Sequence, residues 1–84
     1  MELVLEKKAR EGLARMQRAA YEGMMKRLFA IAANPFAHHA NVDRMKGRES
    51  FRRRQGDWRA IYELDGDSNQ MRVRIVDTRG SVYR

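Results

Sequence analysis

The 84-residue sequence contains no cysteine, a single proline and no long run of apolar residues. Without cysteine the chain has no disulfide, no thiolate metal ligand and no cysteine nucleophile. A membrane-spanning helix needs about 20 mostly apolar residues in a row, and the N-terminus lacks the apolar core of a signal peptide. We therefore expect a soluble, cytoplasmic protein that makes no use of a membrane.

Negative charge is also scarce. The chain has 11 Asp and Glu residues against 18 Lys and Arg residues, so its formal net charge is +7. A charge of this size attracts polyanions such as nucleic acids and speeds association with them. On charge alone, acidic proteins and anionic membranes remain alternative partners, and some small domains are basic without a specific partner. The length predicts one domain, residues 1–84, near the lower size limit for a self-sufficient core.

Hydrophobic spacing predicts a short strand followed by two helices. The apolar run Glu2–Leu5 predicts the strand, and the helical spacing that follows it is interrupted at Gln17-Arg18. The second helix is predicted over residues 19–33 and ends at Asn34-Pro35, because proline disfavours helical geometry in the residue before it. Residues 36–50 show little periodicity and predict a connecting loop.

Three strands are predicted after this loop. Phe51–Leu64 predicts a hairpin with its bend at Gln55-Gly56-Asp57, since glycine accepts positive φ without penalty. A turn at residues 66–69 then leads to a strand over Gln70–Val76. The order predicts an α+β fold: two N-terminal helices packed on one face of a small antiparallel β-sheet, with the N-terminal strand at one edge.

Alternation along these strands places most arginines on the face that points away from the helices. The predicted core side carries Phe51, Trp58, Ala60, Tyr62, Leu64, Met71, Val73 and Ile75, and the open side carries Arg52, Arg54, Arg59, Arg72 and Arg74. Arg53 falls on the core side, so it must lie at the sheet edge or extend its charged end outward. Forked guanidinium donors suit phosphodiesters. The alternative is a solvated face on which Arg59 makes a surface ion pair with Asp57 or Glu63.

Other catalytic patterns are missing from the sequence. His38 and His39 lack a third ligand at metal-binding spacing, which favours two exposed loop histidines. There is no Ser-His-Asp arrangement, glycine-rich phosphate loop or usefully spaced carboxylate pair. We expect neither a metal nor a cofactor.

Three segments carry a resemblance to a known family: Asn41–Gly47, Phe51–Tyr62 and Val76–Arg84. With the helix pair and the Asn-Pro stop, they resemble the RelE branch of the RelE/ParE toxin superfamily over essentially the whole chain. The segment Gly56-Asp57-Trp58-Arg59 is the most specific part of the match.

The resemblance implies the toxin of a type II toxin–antitoxin module, an mRNA interferase that cleaves messenger RNA in the ribosomal A site. In that metal-independent endoribonuclease reaction, a ribose 2′-hydroxyl attacks the adjacent phosphate and expels the 5′-oxygen. The implied partners are the ribosome, mRNA and a cognate antitoxin that forms a hetero-oligomer with the toxin.

The resemblance also assigns roles to individual residues. Arg52 matches a catalytic lysine, Arg59 an arginine that stabilises the transition state, Arg79 a general acid or phosphate clamp, and Tyr83 a general base or orienting residue. We expect RNA contacts from Lys46, Arg54, Arg72 and Arg74, although the last two also fit the polar side of a half-buried strand.

Two positions depart from the family pattern. Ser50 stands where some members have a second lysine, and Thr78 where many have histidine. A tyrosine base then depends on neighbouring cations to lower its pKa from about 10. Two alternatives therefore stay open: a ParE-like inhibitor of DNA gyrase, and a non-catalytic toxin that acts as a basic binding module.

Overall fold

The computed structural model describes residues 1–45 and 49–78 as five strands and two helices. In chain order they are β1 (Glu2–Leu5), α1 (Lys7–Arg15), α2 (Arg18–Ala33), β2 (Val42–Arg44), β3 (Ser50–Gln55), β4 (Trp58–Asp65) and β5 (Gln70–Thr78). Neither helix is long and apolar enough to cross a membrane. The predicted bounds of β1 and of the two helices are confirmed to within a residue or two.

The strands form one sheet in the order β1-β5-β4-β3-β2. Neighbouring strands run antiparallel except for the edge strand β1, which is parallel to β5. With both helices contributing to the buried core, the predicted α+β architecture is confirmed. The hairpin turn is also as predicted, because Gly56 has a φ of +58° between the paired residues Gln55 and Trp58.

The prediction of a plain loop over residues 36–50 was wrong, because Val42–Arg44 forms β2 at the sheet edge. This strand pairs antiparallel with β3 and places Asp43 opposite Arg52. Strand β2 has only three residues, and two of them are charged and exposed, so its sequence shows no alternation of apolar and polar residues. Strand β2 therefore depends on pairing with β3 rather than on its own hydrophobic pattern.

The core lies between the two helices and one face of the sheet. Fully buried members include Ala9 from α1, Met24 and Leu28 from α2, and Met71 and Val73 from β5. The rings of Phe51 and Tyr62 stack beside them with centroids 5.3 Å apart. The predicted core assignment of Trp58 agrees with this picture, since its ring is half-buried against the core cluster.

A β-bulge in β5 changes which face its residues occupy. Tyr62 pairs with Val73 whereas Ile61 pairs with Ile75, so the register shifts by one residue at Arg74. Beyond the bulge, Val76 points to the core and is 1% exposed. The prediction that Ile75 faces the helices was wrong, because it assumed a period of two through the whole strand.

Candidate functional site

The sheet surface opposite the helices carries five arginines, and we call this surface the arginine face. Its members are Arg52 and Arg54 on β3, Arg59 on β4, and Arg72 and Arg74 on β5. Cross-strand pairing places Arg54 directly opposite Arg59 and places Arg52 opposite Ile61. Ile61 is only 7% exposed but lies outside the main core cluster, so the arginine face has an apolar floor.

Arg59 is held by backbone carbonyls rather than by carboxylates. One of its terminal nitrogens donates to the carbonyls of Gly56 at 2.9 Å and Trp58 at 3.0 Å. Its Nε is buried without a hydrogen-bond partner among the described residues. Within residues 1–45 and 49–78 it makes no ion pair, so the alternative of a pair with Asp57 or Glu63 is not found there.

The acidic residue opposite Arg59 in the strand register pairs with another arginine. Asp77 pairs with Arg59 across β4 and β5. Its Oδ1, however, accepts from Arg15 of α1 at 3.0 Å and from the backbone N–H of Thr78 at 2.8 Å. Asp77 is therefore paired with Arg15, and no ion pair joins it to Arg59 within the described residues.

Asp43 is the residue of this site that sequence analysis missed. Its Oδ2 lies 3.1 Å from a terminal nitrogen of Arg52 and 3.6 Å from Nε of Arg54. Asp43 reaches both guanidiniums only because β2 joins the sheet beside β3. Only the recognition of β2 as a strand could have placed Asp43 at the site.

Arg72 and Arg74 lie toward the other end of the arginine face and are paired with acidic side chains. Glu6 is 3.9 Å from Arg72 and 3.7 Å from Arg74, and Glu63 is 3.2 Å from Arg74. Glu63 also accepts a hydrogen bond from the buried hydroxyl of Ser50 at 3.2 Å. The structure therefore separates Arg72 and Arg74 from the group formed by Arg52, Arg54 and Arg59.

Three predicted site residues lie outside the described residues, namely Lys46, Arg79 and Tyr83. Thr78, the position of one departure from the family pattern, ends β5 and is exposed. In the α2–β2 connection, Nε2 of His39 donates to the carbonyl of Asn34 at 2.7 Å. His38 is exposed, as predicted, whereas His39 is half-buried rather than exposed as expected.

The geometry suits an anion at the end of the face that carries Arg54 and Arg59. Like charges directly opposite each other on neighbouring strands are destabilising, and a bound phosphate would remove this repulsion. Guanidiniums remain protonated at neutral pH and offer several donors in a fixed plane. These arginines can therefore bind and stabilise negative charge, whereas a general base has to come from another residue.

Comparison with solved structures identifies several proteins of the same fold. A YoeB/ParE toxin from Agrobacterium tumefaciens superimposes with a TM-score of 0.80 at 19% identity, over 94% of this chain and 99% of that one. The isolated E. coli RelE toxin superimposes with a TM-score of 0.79 at 18% identity, over 98% of this chain and 89% of that one. A chain of the archaeal RelE–RelB complex from Pyrococcus horikoshii superimposes with a TM-score of 0.79 at 19% identity, over 94% of each chain.

This chain has the RelE-like toxin fold. No protein-family model matches its sequence, and no curated protein matches it either. The RelE-like fold was expected from the motifs around Gly56-Asp57-Trp58-Arg59, and the structural similarity extends over nearly the whole chain. In this RelE-like fold the arginine face lies on the side of the sheet that the helices leave uncovered.

Proposed function

We propose that this protein is the toxin of a type II toxin–antitoxin module and that it cleaves mRNA on the ribosome. The proposal is supported by the RelE-like fold, by the sequence motifs and by the arginine face. The observation that carries it is the placement of Arg59. This cation is partly buried, is positioned by two backbone carbonyls and has no carboxylate partner within the described residues.

The reaction proposed for this face is an internal transesterification. The 2′-oxygen of a ribose forms a bond to the adjacent phosphorus while the bond from phosphorus to the 5′-oxygen breaks. The 2′-hydroxyl gives up its proton, the 5′-oxygen gains one, and the products are a 2′,3′-cyclic phosphate and a 5′-hydroxyl. Arg59 and Arg52 stabilise the extra negative charge on the phosphorane, a role for fixed donors in a partly desolvated site.

Proton transfer in this scheme is assigned by family resemblance. Tyr83 is the proposed general base or orienting residue, and Arg79 is the proposed acid or phosphate clamp. Arg54 and Lys46 are proposed to hold neighbouring phosphates. Because Arg72 and Arg74 are already paired with Glu6 and Glu63, we assign them a smaller share of RNA binding.

Primer extension on an mRNA under translation tests the nuclease assignment. We expect the wild-type protein to produce codon-specific cuts and Arg59→Ala to lower the cleavage rate by about 10²–10³-fold, the usual loss for one transition-state donor. Arg18→Ala is the matched control, since Arg18 is exposed on α2 and pairs only with Glu22 among the described residues. An Arg59→Ala protein that cleaves like the control would contradict the role of Arg59.

Two further measurements separate the alternatives. Inhibition of gyrase supercoiling without any RNA cleavage would replace the nuclease with a ParE-like activity. Cleavage is expected to persist in EDTA with ribosome integrity monitored, and strict dependence of the chemical step on metal would contradict the mechanism.

An antitoxin is the proposed protein partner. Solved relatives include complexes of RelE with RelB antitoxins from E. coli and Methanococcus jannaschii. For this basic chain we propose an antitoxin segment that is partly acidic and covers the sheet or replaces an element of the toxin. Such a partner would stabilise the folded toxin by mass action.

A further inference from the structure

A small cavity lies on the helix side of the sheet, away from the arginine face. Its volume is about 30 Å³, and it is bounded by α2, β3 and the connection before β2. The lining residues are Arg27, Ala30, Ile31, His39, Ala40 and Arg53. Arg53 shares its row with Val42 and Ala60, which confirms that this arginine falls on the core side. The expectation that it lies at the sheet edge or extends its charged end outward was wrong, because β3 is an inner strand and Arg53 is 6% exposed.

Arg53 is a buried cation without a counterion among the described residues. It is 6% exposed, and its terminal nitrogen donates to the carbonyls of Ala40 and Arg54. Its Nε is buried and has no hydrogen-bond partner within the described part of the chain. Buried charges in proteins are normally paired or bound to a ligand, so this donor is available to an anion.

A second cation lines the same cavity. Arg27 of α2 is exposed, lines the cavity together with Arg53 and has no ion pair among residues 1–45 and 49–78. Burial lowers the pKa of Arg53, and the charges of Arg27 and Arg54 lower it further. His39 lies at the same cavity and is fixed by its hydrogen bond to the Asn34 carbonyl.

We propose that this cavity is a carboxylate-binding site in which Arg53 and Arg27 are the ligands. The volume is far below the roughly 300–1,000 Å³ of ordinary ligand pockets and has room for only about one or two waters. Two carboxylate oxygens match that space, and arginine binds carboxylate through paired, charge-assisted hydrogen bonds. The carboxylate comes either from a free small acid or from an acidic side chain of a partner protein.

Thermal unfolding in acetate tests the site on the purified chain. We expect the Tm of the wild-type protein to rise saturably with sodium acetate and not with sodium chloride of equal ionic strength. The Nε–Hε cross-peak of Arg53 in a proton–nitrogen correlation spectrum should shift along the same isotherm. Arg53→Leu should abolish the acetate response, and Arg27→Gln should weaken acetate binding about ten-fold through loss of one charge-assisted bond.

Arg18→Ala is the matched control, because Arg18 is an exposed arginine of α2 that pairs with Glu22. It should retain the full acetate response. The proposal is overturned if acetate and chloride act equally on the wild type, or if Arg53→Leu responds like Arg18→Ala. Should Arg53→Leu fail to fold, an unchanged response in Arg27→Gln together with a stationary Arg53 cross-peak would overturn it as well.

A second probe distinguishes the two sources of carboxylate. A peptide of six glutamates is titrated into the same variants. A response to acetate alone identifies a small free acid as the ligand, whereas a response to the peptide alone that Arg53→Leu abolishes identifies an acidic segment of a protein. Neither outcome depends on RNA cleavage, so failure of this site and failure of the nuclease proposal are distinguishable.

Discussion

At the scale of single residues, the charge balance of the arginine face depends on a few carboxylates. Asp43 pairs with Arg52 and Arg54, Glu6 and Glu63 pair with Arg74, and Arg15 pairs with Asp77. A phosphate that approaches Arg52 and Arg54 must therefore compete with Asp43. Arg59 has no such competitor among the described residues.

Asp43→Asn should strengthen RNA binding. The substitution keeps the shape of the side chain and removes the charge that competes with phosphate, and an exposed ion pair is worth only about 0–1 kcal/mol. We expect the dissociation constant for a short single-stranded RNA to fall up to about five-fold, as measured by fluorescence anisotropy. Glu22→Gln is the control, since Glu22 pairs with Arg18 on α2, and an equal effect of both variants would show that only net charge matters.

Tyr62 makes stability depend on pH in the alkaline range. Burial raises the pKa of Tyr62 from 10.0 to about 12, and the positive charge of Arg53 opposes this rise in part. Because the pKa of Tyr62 is higher in the folded state, its contribution to the free energy of unfolding is complete below pH 10 and is lost as the pH rises toward 12. Two pKa units correspond to about 2–3 kcal/mol.

Tyr62→Phe should remove this pH dependence. The measurement is the free energy of unfolding in urea at several pH values between 10 and 12, the interval set by the two pKa values. Tyr21→Phe is the control, because Tyr21 is 40% exposed. If both variants lose stability with pH as the wild type does, Tyr62 is not the group that titrates.

At the scale of secondary-structure elements, the contact between α1 and β5 depends on the absence of a side chain. A Cβ on Gly12 would lie 1.7 Å from the carbonyl oxygen of Val76, a backbone atom that cannot move aside. Glycine costs a helix about 1 kcal/mol relative to alanine. In α1 that cost permits the close approach that buries Ala9 and Leu13.

Gly12→Ala should therefore destabilise the protein by about 1–3 kcal/mol, the usual cost of overpacking, although alanine is the better helix former. Gly23→Ala is the matched control in α2. Its nearest neighbour is the flexible end of Gln55 at 3.2 Å, so we expect a change within about 1 kcal/mol. Chemical denaturation measures both, and a stabilised Gly12→Ala protein would contradict the packing of α1 on β5.

Hydrophobic periodicity predicted most of the secondary-structure elements but not all of them. Periodicity predicted the bounds of the helices and the face of each β3 and β4 residue, including Arg53 on the core side and Arg59 on the open side. It did not predict that Arg53 is buried, because an unpaired charge was expected to reach solvent. It did not find β2, which is held by pairing rather than pattern. It placed Ile75 on the wrong face, because the bulge at Arg74 inserts one residue into β5 and reverses the faces of the residues after it. The apolar and polar residues of β5 alternate up to the bulge, so the sequence gives no sign of it.

The charges of the site were predictable only in part. Alternation identified Arg52, Arg54 and Arg59 as neighbours on one face. Their carboxylate partners could not be read from sequence, since Asp43 and Glu6 reach the sheet from β2 and from the start of α1. Such contacts depend on the strand order, which spacing along the chain does not encode.

At the scale of the whole molecule, RNA affinity should fall with salt in proportion to the number of phosphates bound. If Arg52, Arg54 and Arg59 each bind one phosphate, with Asp43 displaced from the first two, the slope of log K against log salt on single-stranded RNA should be about −2. Arg59→Ala should reduce the slope by about 0.7. Arg74→Gln should change it less, because Glu6 and Glu63 already neutralise Arg74.

The parallel pairing of β1 with β5 has a consequence for biosynthesis. A hydrogen bond between the side chains of Glu2 and Gln70 joins residues 68 positions apart, and α1 lies against β5 as well. At ~5–20 residues per second the first strand waits on the order of 3–14 s on the ribosome for its partner. The nascent chain therefore cannot complete the sheet that carries the arginine face until β5 has left the exit tunnel.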